Sequence, residues 1–259
     1  MNNFNFHALV IYVLYSISLK KTCAGATYPN EPDTTPPSQW SSMSSNFQQH
    51  CSPFGVSIFA RNWPRDKFIH TCNVLAQMLD NDQDGCADDD AVVKNIRYHQ
   101  TGLAMFPTDN PNYSLVAETF FAQDLYATET ELGCSGTSET SNCHDGAMEE
   151  ILHVVTQKGV SPTYPDDFSE CNKGINNLST LQAQMDIARG GHFQSVPSTY
   201  PSSAIYHYED RTCDYSCMTT EFIYWGLTSL LNGQGMKIPF LLISSMRDSR
   251  PFLTKSFSF

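Results

Sequence analysis

Basic side chains are scarce in this chain. Lys and Arg together number 15 against 27 Asp and Glu, so the formal net charge is −12 and the isoelectric point lies near 4.9. Proteins that bind nucleic acids carry the opposite balance on a basic patch that meets phosphates, so we expect no nucleic-acid partner. The acidic excess does not indicate disorder, because 41% of the residues are hydrophobic and 12% are aromatic.

Several catalytic and metal-binding motifs are missing as well. The sequence has no C-x-x-C pair, no Cys/His zinc-finger spacing, no G-x-S-x-G nucleophile motif and no phosphate-binding glycine loop. These absences argue against redox enzymes, zinc knuckles, Ser-His-Asp hydrolases and P-loop nucleotide binding. Glu150 and His153 form an E-x-x-H motif, but the chain lacks the second copy that a di-iron bundle needs.

The apolar run near the start of the chain is too short to span a bilayer. Ala8–Leu19 has 12 residues, whereas a transmembrane helix needs about 20. Ala24-Gly25-Ala26 follows with the A-x-A pattern of a cleavage site. We therefore predict a signal peptide over residues 1–26 and a secreted, extracellular protein without membrane contact after cleavage. An uncleaved anchor is the alternative, because no Lys or Arg precedes the apolar run.

The cysteine count fits a secreted protein. Cleavage after Ala26 would leave eight cysteines and a net charge of −14, from 27 acidic and 13 basic side chains. An even number in a secreted chain predicts up to four disulfides, with 105 connectivities left open. Two N-x-S sequons, at Asn112 and Asn177, predict glycosylation. The cysteines expected in disulfides are Cys51, Cys72, Cys86, Cys134, Cys143, Cys171, Cys213 and Cys217.

Composition divides the predicted mature chain into three parts. We predict a flexible Pro/Ser-rich leader over 27–50, a globular disulfide-stapled domain over 51–235 and a divergent tail over 236–259. Gly159 and Gly190 are expected to end helices as C-terminal caps. Apolar spacing predicts a short strand at Phe54–Ala60, a helix from Pro64 through Leu79, and further helices at about 91–99, 114–130, 147–158, 177–189 and 219–232. The predicted fold class is mainly α, with α+β left open: a single disulfide-stapled helical domain with an EF-hand-like loop and minor β structure.

An aspartate-rich loop follows the first long helix. The pattern D-x-D-x-D-G places carboxylates at loop positions 1, 3 and 5 and a glycine at position 6, as in an EF-hand. Position 12 is Ala91 instead of a bidentate Glu, so we expect calcium binding with a Kd of roughly 10⁻⁴–10⁻³ M. The alternative is an acidic turn that caps the next helix and binds no ion. The predicted calcium ligands are Asp80, Asp82, Asp84, the backbone carbonyl of Cys86, and Asp88.

The sequence Glu149-Glu150-Ile-Leu-His153 is the one candidate for catalytic chemistry. It differs from the H-E-x-x-H motif of zinc peptidases only in its first ligand, where Glu149 stands in place of His. Glu149 and His153, one helical turn apart, would hold zinc together with Glu221 from a later helix, and Glu150 would be the general base. The alternative is a helix whose two Glu side chains face water and whose His makes an ordinary hydrogen bond.

Five short motifs, and the order in which they occur, resemble those of a known group of proteins. LDNDQDG, EEILH, QMDIARGG, CDYSC and EFIYWGLTSLLNGQG occur in this order within residues 55–235. They resemble uncharacterised secreted proteins of marine invertebrates, of the kind found in the organic matrix of coral skeletons. The resemblance implies an acidic, calcium-associated extracellular protein, and it supplies no catalytic residues. The tail after Gly235 departs from that pattern.

Three functional hypotheses follow from the sequence. The preferred one is a non-enzymatic secreted protein of an extracellular, biomineral matrix, with calcium ions, calcium mineral and other matrix proteins as partners. The second is a secreted zinc-dependent hydrolase that uses the degenerate Glu-Glu-x-x-His site. The third is a secreted binding module for a protein or glycan.

Overall fold

A four-stranded mixed sheet forms the centre of the molecule. The structure, a computed structural model, describes residues 35–132, 145–171 and 174–230. The strands lie in the order β1-β2-β3-β4, with β1 antiparallel to β2 and the other three parallel to one another. Their bounds are β1 (Gln49–Cys51), β2 (Ile58–Ala60), β3 (Thr101–Phe106) and β4 (Phe121–Tyr126).

The described helices pack mainly against one face of this sheet. They are α1 (Arg65–Leu79), α2 (Asp90–Tyr98), α3 (Gly146–Val155), α4 (Pro165–Phe168), α5 (Thr180–Arg189) and α6 (Tyr215–Leu230). Helix α3 continues through a π-helical turn (Thr156–Val160) into a short α-helical turn (Ser161–Thr163). Short 3₁₀ helices lie at Ser38–Ser45, Pro53–Gly55, Tyr113–Leu115 and Ile175–Asn177. None of the helices in these ranges is both long and apolar enough to cross a membrane.

The sheet separates two apolar cores. On β2, Ile58 and Ala60 face the larger core beneath the helices, whereas Phe59 between them faces the smaller core. The same alternation places Leu103 of β3 in the larger core and Ala104 in the smaller one, as the pleat of a strand requires. Both faces of the two central strands are therefore buried.

The prediction of a mainly α domain was wrong, because the fold is α+β. The sequence around 114–130, predicted as a helix, contains the 3₁₀ helix Tyr113–Leu115 and strand β4. Strand β3 was missed altogether. All six of its residues are buried, and a strand covered on both faces shows a continuous apolar run without the alternation that identifies half-buried strands.

The described part of the predicted leader is packed against the sheet. Residues 38–45 form a 3₁₀ helix and residues 49–51 form β1. Trp40, Met43 and Phe47 are buried in the smaller core, where the ring of Trp40 contacts Phe59 and Phe120 edge to face. This segment is therefore part of the globular domain, contrary to the predicted boundary at residue 51. A Pro/Ser-rich composition concealed a few well-spaced large apolar residues.

Disulfide bonding is confirmed in part. Cys51 is bonded to Cys72, which joins β1 to α1, and Cys213 is bonded to Cys217 at the start of α6. Cys86 is also disulfide-bonded. Cys171, which the count placed in a disulfide, is an exposed free thiol. Cys134, Cys143, the predicted signal peptide and the predicted tail lie outside the described residues.

One of the two predicted glycine caps was wrong. Gly190 ends α5 in the left-handed conformation with φ of 76°, as expected of a C-terminal cap. Gly159 lies inside the π-helical turn, and the chain stays helical beyond it. A Cβ at Gly159 would lie 2.7 Å from a methyl carbon of Val92. The glycine is therefore required by the close packing of α2 against this turn.

Candidate metal centre

Helix α3 presents the Glu-Glu-x-x-His sequence as predicted. Asp145 caps the helix by accepting a hydrogen bond from the Ala147 N–H at 3.1 Å. The apolar side chains of Ile151 and Val154 face the larger core and fix the rotation of the helix. Glu149 and His153 then lie on one face at i and i+4.

Helix α6 brings Glu221 to the same place. The predicted helix over 219–232 begins earlier, at Tyr215, next to the Cys213–Cys217 disulfide. One potential ligand atom from each of Glu149, His153 and Glu221 lies within 4.8 Å of the other two. The structure thus brings together all three residues that the sequence analysis proposed as zinc ligands.

His153 is buried between two carboxylates. Its side chain is 7% exposed, with Nδ1 at 3.7 Å from Oε2 of Glu150 and Nε2 at 3.8 Å from Oε1 of Glu221. Both separations exceed a hydrogen-bond length. The buried Nε2 has no hydrogen-bond partner among the residues that the structure describes. An unpaired ring nitrogen that faces a carboxylate is the arrangement in which a metal ion fits between the two groups.

The electrostatics of the cluster disfavour the ionised form of its carboxyl groups when no cation lies beside them. Burial raises the pKa of Glu149 to about 7, and the negative charge of Glu221 contributes to this rise. Burial also raises the pKa of Glu221. Burial opposes the charged form of His153, but the carboxylates of Glu150, Glu221 and Glu149 raise its pKa above the ordinary value. The cluster therefore attracts positive charge, whether protons or a cation.

Glu150, the predicted general base, lies beside Nδ1 of His153. It lies next to Glu149 in sequence, its side chain is 24% exposed, and its carboxylate points towards the His153 ring. Water reaches it more easily than it reaches the buried His153 beside it. Its contact with the ring is to Nδ1, whereas the ring nitrogen that faces Glu221 is Nε2. In this structure the Glu150 carboxylate therefore lies beside the outer edge of the ring and is not part of the converging set of ligand atoms.

Two tyrosines beside the cluster were missed by the sequence analysis. The side chain of Tyr224 lies close enough to Glu149 to lower the pKa of that carboxyl, and the side chain of Tyr208 has the same effect on Glu221. Tyr224 lies one helical turn beyond Glu221, a spacing that predicts a shared face, and it is buried. Tyr208 lies on the loop between α5 and α6, where no sequence pattern points to the site.

The aspartate loop forms a second group of carboxylates between α1 and α2. One oxygen from each of Asp80, Asp82 and Asp88 lies within 4.8 Å of the others. Asp80 is fully buried and accepts hydrogen bonds from the N–H groups of Asp84 and Gly85 at 3.1 and 2.9 Å. Burial raises the pKa of Asp88, and the neighbouring aspartates add to this rise.

One of the predicted calcium ligands, Asp84, stands apart from this group. Asp84 accepts a hydrogen bond from the Cys86 N–H at 2.8 Å, and its carboxylate is not part of the converging set. The disulfide of Cys86 involves its side chain and not its backbone carbonyl, which is the predicted ligand atom. Asp89 caps α2 by accepting from Ala91 and Val92, which is the role that the alternative interpretation of this loop predicted.

Comparisons with known proteins give no match: no family model, no curated protein and no solved structure is similar to this chain. The resemblance to matrix proteins of marine invertebrates therefore stays a prediction. Glycosylation also stays a prediction, although Asn112 and Asn177 are both exposed.

Proposed function

We propose that this protein is a metal-dependent hydrolase with one zinc ion held by Glu149, His153 and Glu221. The observation that supports it best is the convergence of these three residues within 4.8 Å around an imidazole nitrogen that is buried and unpaired. Catalytic zinc sites in proteins use three side-chain ligands and leave a fourth position open for water. Two carboxylates and a neutral imidazole would balance the two charges of the ion.

The reaction class follows from the residues around the site. Zinc supplies a water of lowered pKa and polarises an acyl or phosphoryl oxygen. Glu150, whose partly exposed side chain would turn from Nδ1 of His153 towards the ion, would serve as the general base and then as the general acid. Tyr208 and Tyr224 would hold the ligand carboxylates by hydrogen bonds, which fixes their orientation. The likeness of Glu149-Glu150-Ile-Leu-His153 to the H-E-x-x-H motif of zinc peptidases favours the hydrolysis of ester or amide bonds.

Metal content is the decisive measurement. Protein stripped with EDTA and dialysed against Zn²⁺ should hold about one zinc per chain, and His153→Ala and Glu221→Ala should hold almost none. His99→Ala, at the C-terminal cap of α2, is the matched control and should keep its zinc. Glu150→Gln should bind zinc normally and lose at least 100-fold in hydrolysis of p-nitrophenyl acetate or labelled casein. Wild-type protein without stoichiometric zinc, or an active Glu150→Gln, would overturn the proposal.

Calcium binding at the aspartate loop is a second candidate function. It is supported by the convergence of Asp80, Asp82 and Asp88, and it is the feature that the biomineral-matrix hypothesis needs. With Ala91 at position 12, the expected Kd is roughly 10⁻⁴–10⁻³ M. Calcium titration by calorimetry should show one site that is lost in Asp82→Ala and kept in Asp109→Ala, an exposed aspartate elsewhere. Equal binding by both variants would rule out this loop as the site.

A further inference from the structure

A buried polar network lies directly behind the candidate metal centre. Thr220, the residue before Glu221 on α6, donates a hydrogen bond from its hydroxyl to Oε2 of Glu170 at 2.6 Å. The same hydroxyl accepts one from the Gln157 amide at 3.2 Å. Gln157, one helical turn after His153, in turn accepts from Gln123 of β4 at 3.0 Å. The network thus connects both helices that carry the candidate ligands.

Glu170 is an unusual group to find inside the core. It is 6% exposed, and none of the salt bridges in the described part of the chain includes it. Burial raises its pKa to about 7. A buried carboxyl without an ionic partner costs stability, and the cost rises if it also loses its hydrogen bond. Any movement of α6 that breaks the hydrogen bond between Thr220 and Glu170 is therefore unfavourable, which fixes the position of that part of the helix.

We infer that Thr220 and Glu170 are positioning residues that hold Glu221 in register with His153 for metal binding. This inference rests on the proposed zinc centre and deepens it. The Glu221 carboxylate has to stay within a few tenths of an ångström of its place to share an ion with a ligand on another helix. Thr220 supplies that constraint through a short hydrogen bond to a partner outside α6, beside a longer contact of 3.3 Å with the Ser216 carbonyl of its own helix.

Thr219 offers a matched control for this test. It is also buried, but its hydroxyl bonds the Tyr215 carbonyl of the same helix at 2.9 Å. Replacing Thr219 by Val removes a buried hydroxyl and leaves the connection between α6 and Glu170 intact. Thr220→Val removes that connection, and Thr220→Ser keeps it with the loss of one methyl group. Glu170→Gln keeps an acceptor oxygen for the hydroxyl and removes the charge.

The experiment is Zn²⁺ competition against a chromophoric chelator, with urea unfolding of each variant to show that it is folded. Thr220→Val should weaken zinc binding by about 10–100-fold, the effect typical of losing a group that orients a metal ligand. Thr219→Val, Thr220→Ser and Glu170→Gln should stay within about threefold of the wild type. Equal loss in both valine variants, or no loss in Thr220→Val, would overturn the positioning role while leaving the zinc centre standing. Wild-type protein that binds no zinc would overturn both.

Discussion

Replacing Glu149 by Gln should stabilise the metal-free protein while abolishing its zinc binding. Burial and the negative charge of Glu221 raise the pKa of Glu149 from its ordinary value of 4.5 to about 7. An acid with a raised pKa binds its proton more tightly in the folded state than in the unfolded state. Its contribution to stability is therefore fully present below pH 4.5 and is lost as the pH rises through about 7.

The magnitude follows from that difference in pKa. A change in pKa from 4.5 to about 7 means that ionised Glu149 destabilises the folded state relative to the unfolded state by about 3 kcal/mol at pH 8. Glu149 shares the field with Glu221 and His153 and is not fully buried, so the gain on removing its charge is reduced to roughly 1–3 kcal/mol. At pH 5 the folded protein already holds the proton, and most of the gain should be absent.

Urea unfolding in EDTA at pH 5 and pH 8 measures this effect. Glu149→Gln should unfold at a higher urea concentration than the wild type at pH 8, and close to the same concentration at pH 5. Glu209→Gln, a change of the same charge on the surface, should have little effect at either pH. If Glu149→Gln destabilised the protein equally at both pH values, Glu149 would not carry the electrostatic cost that we assign to it.

Two further predictions concern the two cores and the disulfide between β1 and α1. Phe59→Ala should destabilise the protein by about 3–5 kcal/mol, because Phe59 is fully buried and its ring contacts Trp40, Phe47 and Phe120. Phe121 is 61% exposed, so Phe121→Ala should destabilise the protein far less. Similar melting temperatures for the two variants would contradict the assignment of the second core. The disulfide between Cys51 and Cys72 joins residues 21 positions apart and so reduces the conformational entropy of the unfolded chain. Replacing both cysteines by Ser should therefore lower the free energy of unfolding by about 3 kcal/mol. A loss below about 1 kcal/mol would show that residual structure already restricts the unfolded chain.

The helices could be predicted from the sequence because their signals are local. Apolar residues recur with the helical period from Phe68 to Leu79, and α1 spans Arg65–Leu79 as expected. Helix α5 begins at a capping box formed by Ser179 and Gln182. The Glu149–His153 pair was found for the same reason, since a spacing of four residues within one helix determines the geometry without knowledge of the rest of the fold.

The sheet could not be predicted in the same way. Strands β2 and β3 pair across the intervening helices α1 and α2, and their burial on both faces removes the alternation that identifies a strand. Glu170 is similar: it lies in an irregular segment after α4, and only the packing of α6 brings Thr220 to it. Features that depend on contacts between distant segments leave no periodic trace in one sequence.

The placement of the candidate metal centre explains how the fold tolerates it. Glu149, Glu170 and Glu221 are carboxyls whose burial raises their pKa, so ionising them at neutral pH opposes folding. The apolar cores on the two faces of the sheet and the disulfide between β1 and α1 provide stability that offsets this opposition. A site that costs stability when it is empty gains the most from a bound cation, because ligand binding stabilises only the folded state. Zinc should therefore raise the unfolding midpoint of the wild type much more at pH 8 than at pH 5, and should leave that of Glu149→Gln almost unchanged at both.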